Sequence, residues 1–488
     1  MSVTLSVLLG YLAILVMLAL WSRRETHTLS GYFLAGKKLP FWVVAFSANA
    51  TGESGWLLLG LTGMGYTQGV QAYWVVVGEI LGIVASWTLI SRRLKRFGDE
   101  TDSITVPDVL AAKFGDTAKL IRGIAIVIIL IMVTTYVTAQ MVASGKALSS
   151  FMDWGYRESV VIGAIIIIGY TFVGGYKAVS YTDVVQGVLM LLGLMLVPAA
   201  AIYASDGLEG VIAGLRYQDP ALLDPIASTA GGISGWVLIA SFVAIGLPFL
   251  GVPQMLIRYM SARDDGEVRK ARVVSVIVMF LFTFGAVTAG VAGRALFPGL
   301  ADSETIFPTI SNNLFPPLIA GLLLVVVLSA IMSTVDSLLL LASSAVVRDS
   351  MQQLFGSRKS DAELANFGKV LTIVIGVIGM AFAVQETQFI FWFVLFAWSG
   401  LGAAFGPPVI GLLYDRKITG AGVAAGMLGG FLTSTLWVLF VKQHTYNLYE
   451  AIPGFAAGFL LTWLVSRLTY AEASEPVTRP GTGTGPSV

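Results

Sequence analysis

Apolar runs of about 20 residues follow one another along almost the whole chain, and no other feature restricts its fold as strongly. A run of that length carries an α-helix across about 30 Å of hydrocarbon. Backbone polar groups in lipid must be satisfied within the segment, so such runs predict helices rather than loops or open strands. The composition agrees: 56% of the 488 residues are hydrophobic, 12% are charged, and the mean hydropathy is +0.81. Soluble domains carry about 25% charged residues. The reading is one all-α polytopic membrane domain over residues 1–470, not a string of soluble domains.

About 13 spans are expected, at roughly 4–22, 41–66, 71–91, 120–147, 158–176, 182–204, 232–255, 272–296, 315–346, 367–384, 388–414, 419–440 and 451–468. The run from Val3 to Leu20 lacks a basic start and a cleavage site, so it reads as the first span rather than a signal peptide. With 13 spans, the basic clusters at Arg23/Arg24, Lys37/Lys38, Arg92–Arg96, Arg263–Arg272, Arg348–Lys359 and Arg416/Lys417 share one side. The other side keeps Lys146, Arg157, Arg216, Arg294 and Lys442. By the positive-inside rule the N-terminus is outside and the C-terminus inside. The tail 471–488 is rich in Gly, Pro and Thr and is expected to be disordered and cytoplasmic.

Several function classes are excluded. A net charge of +1 gives no electrostatic case for nucleic acid. The absence of cysteine removes disulfides and thiolate metal sites, and His27 and His444 are the only histidines. No nucleophile pair or metal-ligand cluster supports an enzyme, and no organic cofactor is implied. No repeated pore loop or ring of charges supports a channel.

Two polar segments, both expected as breaks in their helices, interrupt the apolar pattern: Ala48 to Trp56 (ANATGESGW) and Ser329 to Ser337 (SAIMSTVDS). Hydrocarbon accommodates such residues only where they face protein or a water-filled cavity. In the first, Gly52 and Gly55 weaken the helix while Asn49, Thr51 and Ser54 compete for the backbone. An unwound stretch frees carbonyls for a hard cation. The alternative is a kinked helix packed through small residues, but Glu53 is expensive in a mere packing face. In the second, Ser333 and Thr334 could present hydroxyls to the first break or bond back to their own helix beside Asp336. Together the segments read as two halves of one neutral oxygen cage suited to Na⁺.

Other polar residues each admit two readings. Glu79, amid Val75–Leu81, is a buried acid for substrate or proton, or a partner within the bundle. Gln140, after Tyr136, could bind substrate or bridge helices. Asp183 could cap a helix or stand on the inward ion path. Pro248 and Pro253 break the span 232–255, where Phe249 could line a cavity. Trp56 directly follows the first break.

The chain resembles the sodium:solute symporter family, most closely its sodium/proline symporter branch. The resemblance runs from about Gly31 to Phe455 and rests on Tyr32–Gly36, Ser54–Gly60, Phe172–Gly175 with Ser180–Asp183, Arg258–Met260, Met332–Thr334 and Ala397–Pro407. It implies a LeuT-like fold with inverted five-helix repeats, about 41–204 and 232–414. It also implies a Na⁺ site formed by the carbonyls of Ala50, Glu53 and Ala330 and the hydroxyls of Ser333 and Thr334. This chain departs from the branch in places. Gly52 stands where the branch carries an acid, with Glu53 one residue on. Glu79 replaces an apolar residue. Ile245, Phe249 and Val252 replace a tryptophan, a tyrosine and a glutamine near the substrate.

The expected function is Na⁺-coupled uptake of a small polar solute across the cytoplasmic membrane, proline or another amino acid first. Substrate and coupling candidates are Ser54, Trp56, Glu79, Tyr136, Gln140, Asp183, Phe249 and Asp336. The alternatives are proton coupling or a different, cationic solute through Glu53 and Glu79, and a membrane sensor.

Overall fold

The computed structural model describes residues 3–22, 28–171, 175–226, 233–385 and 390–470. Arg23/Arg24, residues 172–174 of one motif and the tail 471–488 lie outside the described residues. Among the described residues the chain is helical, and the one β-type contact is an isolated bridge between Leu39 and Ala262.

The principal helices are α1 (Val3–Ser22), α2 (Phe41–Gly55), α3 (Tyr73–Ala85), α4 (Ala118–Met152), α5 (Tyr156–Thr171), α6 (Tyr176–Ala204) and α7 (Ile233–Ala244). They are followed by α8 (Asp265–Leu296), α9 (Pro317–Ser344), α10 (Asp361–Ala383), α11 (Ile390–Tyr414), α12 (Gly420–Leu436) and α13 (Ala451–Thr469). Among the described residues, 11 helical stretches are long and apolar enough to cross a membrane. One of them, Phe41–Glu100, runs for 60 residues. At ~1.5 Å per residue it is far too long for a single crossing. It turns at Gly69, whose φ of 59° suits glycine, and a Cβ there would lie 2.1 Å from the Leu222 carbonyl oxygen.

Helix ends follow local chemistry. Pro40 precedes α2, and Pro317 opens α9 at a position where the missing N–H costs nothing. Ser360 and Glu363 form a reciprocal capping box at the start of α10. Pro248 and Pro253 break the seventh apolar run as expected. The chain leaves α7, makes a short 3₁₀ turn at Leu247–Leu250 and resumes as the helix Pro253–Ser261.

α9 lies at the centre and packs on α4, α6, α2 and α1, while α2 also packs on α6 and α8. From Leu323 to Ser344 every residue of this helix is buried. The peripheral helices keep apolar residues outward, among them Met17, Phe382, Leu460 and Trp463. In a membrane these faces meet lipid.

The second polar segment differs from its expected form. Ser329–Ser337 lies in uninterrupted helix. Two of its hydroxyls bond to their own turn, Ser337 to the Ser333 carbonyl at 2.9 Å and Ser333 to the Ala330 carbonyl at 3.1 Å. These bonds satisfy the hydroxyls without unwinding the backbone. Only the first segment is broken.

Candidate functional site

The break falls at Ser54, whose φ of 49° and ψ of −174° interrupt α2. Non-glycine residues rarely occupy that region. Ser54 offsets the strain by capping the next turn: its Oγ accepts the Trp56 N–H at 3.1 Å and the Tyr136 hydroxyl proton at 3.3 Å. The chain continues as a π-helical turn, Trp56–Leu61. The Gly55 N–H donates to Gln140 Oε1 at 2.9 Å, so α4 supports the break from a second side.

Across from the break, α9 presents its hydroxyls. Ser333 Oγ donates to the Ala50 carbonyl at 2.9 Å, and Thr334 Oγ1 donates to the Thr51 carbonyl at 3.1 Å. The Ala330 carbonyl shares the Ser333 hydroxyl. Five uncharged oxygens from two helices thus converge, the three carbonyls and two hydroxyls just named. Such a set suits a hard monovalent cation, because rotating the two hydroxyl protons away exposes lone pairs to an ion. Among the described residues no group of His, Cys, Asp and Glu forms a transition-metal site.

Below this cage lies a buried charge cluster. Arg258 is 1% exposed and Asp183 is fully buried. Arg258 Nη2 stands 3.3 Å from Asp183 Oδ2 and donates to Thr51 Oγ1 at 2.9 Å and to Ser337 Oγ. Arg258 Nε donates to Ser47 Oγ at 3.2 Å, and Ser47 in turn donates to Asp183 Oδ2 at 2.6 Å. A buried pair needs partners for its remaining donors and acceptors: the hydroxyls of α2 and α9 serve the guanidinium and Asp183 Oδ2, while Asp183 Oδ1 is buried without a hydrogen-bond partner.

On the other side of α2, Trp56, Glu79, Tyr136, Ile245 and Trp398 enclose a cleft that also touches Gly52. It is closed down to about 10 Å³, room for about one water. Phe249 is buried behind it, edge-on to Trp398 with ring centroids 5.0 Å apart. A vestibule of about 550 Å³ shares Ile245 and Leu395 with the cleft and opens on the face that carries Lys442 and Glu450. A second recess of about 280 Å³ adjoins it through Leu238, Phe242 and Trp392.

The structure therefore brings Ala50, Ala330, Ser333 and Thr334 together in one cage. Ser54, Trp56, Tyr136 and Gln140 gather around the break itself. Glu53 is 1% exposed and neither carboxylate oxygen has a hydrogen-bond partner, while its main-chain carbonyl receives the Trp56 N–H. Asp336 is buried beside Ser337, whose hydroxyl is 3.5 Å from Asp336 Oδ1. Asp183 is not a cap: it lies in the second turn of α6, where no backbone N–H is free, and it pairs with Arg258 instead. Sequence reasoning missed Arg258, Ser47, Thr51 and Ser337 as site residues. The available signal was the lone arginine inside the otherwise uncharged segment Pro253–Met260, since a charge there must find a partner.

A helix broken beside a continuous one, joined by a cage of neutral oxygens next to an aromatic cleft, defines a membrane transporter. The comparisons agree. The family model of the sodium:solute symporter family matches residues 32–430, so the chain belongs to that family. It is 35% identical over 464 residues to the high-affinity proline transporter PutP of Bacillus subtilis (strain 168), covering 94% of this chain and 97% of the relative. A sodium/proline symporter of Staphylococcus aureus is 33% identical over 472 residues, covering 94% and 91%. Among solved structures, a Na⁺-coupled sialic acid symporter in its substrate-bound outward-open state aligns with a TM-score of 0.78 at 20% identity, covering 96% of this chain and 98% of the other. Mhp1, a nucleobase-cation-symport-1 family transporter in a closed conformation, aligns at 0.56 and 15% identity, covering 93% and 97%. The fold is LeuT-like, as the resemblance implied.

Proposed function

We propose that the chain imports proline, or a closely related amino acid, with Na⁺. The observation that carries this is the pair of hydroxyl bonds from Ser333 and Thr334 to the carbonyls of Ala50 and Thr51, across the two helices that a coupling ion would join. Na⁺ would be held by the carbonyls of Ala50, Glu53 and Ala330 and the hydroxyls of Ser333 and Thr334, with the Thr51 carbonyl added to that set. The ion would tie α2 to α9 and fix the break, and the break shapes the cleft at Trp56. Ion and substrate would then raise each other's affinity by one common factor.

The 60-residue stretch supports two passes, and α5, at 16 residues, supports another. Added to the other 10 stretches these make 13 spans. In that arrangement the N-terminus and the 442–450 face are outside, and the C-terminus is in the cytoplasm. Residues 41–204 and 232–414 would form the inverted repeats.

The test is uptake of labelled proline into proteoliposomes, driven by either a Na⁺ or a proton gradient. Na⁺-driven uptake whose half-saturating Na⁺ rises at least tenfold in Ser333→Ala and Thr334→Ala is the expected result. Uptake driven by protons alone, lost in Glu53→Gln, would replace Na⁺ coupling with the proton alternative.

A further inference from the structure

Among the described lining residues of the aromatic cleft, Glu79 holds the one acidic side chain. It is 2% exposed, and its Oε2 has no hydrogen-bond partner. Its place is rigid. Gly78 and Gly82, flanking it on α3, press against the backbone of the seventh-run break, where an added Cβ would lie 2.3 Å from the Val243 oxygen and 2.1 Å from the Gly246 oxygen. The carboxylate cannot swing away with its helix.

The cleft has no cation to match it. Among its described lining residues none is basic. Arg258 is committed to Asp183, and Lys442, in the vestibule, is 2.8 Å from Glu450. Two of the aromatic residues, Tyr136 and Trp398, are committed at their polar ends. The Tyr136 hydroxyl goes to Ser54, and Trp398 Nε1 donates to the Ile245 carbonyl at 3.3 Å. What remains toward the cleft is a carboxylate among aromatic rings, the surroundings that favour an organic cation. A buried carboxylate without a partner is costly, and a cationic substrate removes that cost when it binds. Beside the break in α2, next to the cleft lining at Trp56, the chemistry is the converse. Gln140 spends Oε1 on Gly55, and its Nε2 is a buried donor without a partner.

We infer that Glu79 anchors the substrate's cationic nitrogen. The solute is an ammonium compound, bound with its nitrogen at Glu79 among Trp56, Tyr136 and Trp398, and with any carboxylate toward Gln140 and the break. The inference rests on the transport reading and adds which end of a zwitterion the acid selects.

The test uses full-length protein in proteoliposomes and two analogues of proline. Pyrrolidine keeps the nitrogen and lacks the carboxylate. Tetrahydrofuran-2-carboxylate keeps the carboxylate and replaces the nitrogen with oxygen. Pyrrolidine is expected to compete with proline, and tetrahydrofuran-2-carboxylate to compete at least tenfold less well than proline. Glu79→Gln is expected to raise the KM for proline at least tenfold and to erase the difference between the analogues. Direct binding of ²²Na⁺ without substrate should change less than threefold, which shows that the variant is folded. Glu79→Asp should recover part of the affinity. An unchanged KM in Glu79→Gln, or a tetrahydrofuran-2-carboxylate that competes as well as proline, overturns the inference. So does a variant that keeps its KM and loses only the pH dependence of uptake, which would make Glu79 a proton carrier. If the wild type does not transport proline, the transport reading fails separately. Thermal-shift measurements in Na⁺ with a panel of ammonium, neutral and anionic solutes then decide the anchor. Stabilisation by an ammonium solute that Glu79→Gln abolishes sustains it, and no stabilisation by any ammonium solute overturns it.

Discussion

Ser54 shows how one side chain can hold a break in place. Its positive φ is unfavourable, and its hydroxyl offsets that by capping the following turn and accepting from Tyr136. Ser54→Ala keeps the strain and removes the cap, so about 1 kcal/mol of local stability should be lost. Uptake should fall with it, and faster hydrogen exchange at Trp56–Leu61 is the measurement that checks this. Gly52, one residue before Glu53, is closely packed. A Cβ at Gly52 would lie 3.3 Å from both Phe249 and Met255, so a side chain there requires those two to give way by a few tenths of an ångström. The polar run around residue 54 was legible because hydroxyls and an acid stand out in an apolar segment. Thr51 and Ser337 were not, because their roles depend on Arg258, more than 75 residues away in either direction. No local pattern encodes that meeting.

Among the elements, α9 carries the most constraints. Its interior meets α2 at Ser333 and Thr334, and beyond Ser344 it continues as a π-helical segment, Ala345–Leu354. That extension is tied down by a buried cluster. Arg122 at the start of α4 bridges Asp108 and Asp349, each at 2.5 Å, and Arg348 Nε is 3.0 Å from Asp108 Oδ2. Thr105, the cap of the short helix Val106–Ala111, also donates to Asp349 at 3.1 Å. Removing one partner of such a buried cluster costs about 3–5 kcal/mol. Arg122→Ala should lower the melting temperature in detergent and speed hydrogen exchange in 345–354, while ²²Na⁺ binding changes little. An unchanged exchange rate would mean that α9 is held by packing alone. The sequence displayed α9 as an apolar helix with polar inserts. It did not show whether the inserts break it, because a serine bonded to its own turn and a serine beside an unwound turn have the same spelling.

At the scale of the molecule, the two faces are held by different ties. The face bearing Arg92 and Arg348 has the Arg122 cluster. The opposite face has Lys146 on α4, which reaches Asp302 at 2.9 Å and Glu304 at 2.7 Å, while Glu304 also accepts the Ile390 N–H at 3.0 Å. This second tie joins α4, the segment before α9 and the start of α11. Lys146→Met should shift the conformational balance toward the state open on this face. The chain has no cysteine, so Ile245→Cys in an otherwise unaltered background can report the shift. Its labelling by a membrane-impermeant maleimide should quicken several-fold in Lys146→Met. Equal rates would show that the tie does not gate the cleft.

The vestibule above the cleft has a physical consequence of its own. At ~30 Å³ per water, a space of about 550 Å³ holds on the order of 20 waters. Closing this face must return them to bulk, whereas the cleft beneath retains about one. The opening and closing equilibrium is therefore linked to water activity. An impermeant osmolyte on that side draws water out of the vestibule and favours the shut form. Slower maleimide labelling of Ile245→Cys with rising osmolality, in proportion to the number of waters expelled, would turn that volume into a measured hydration change.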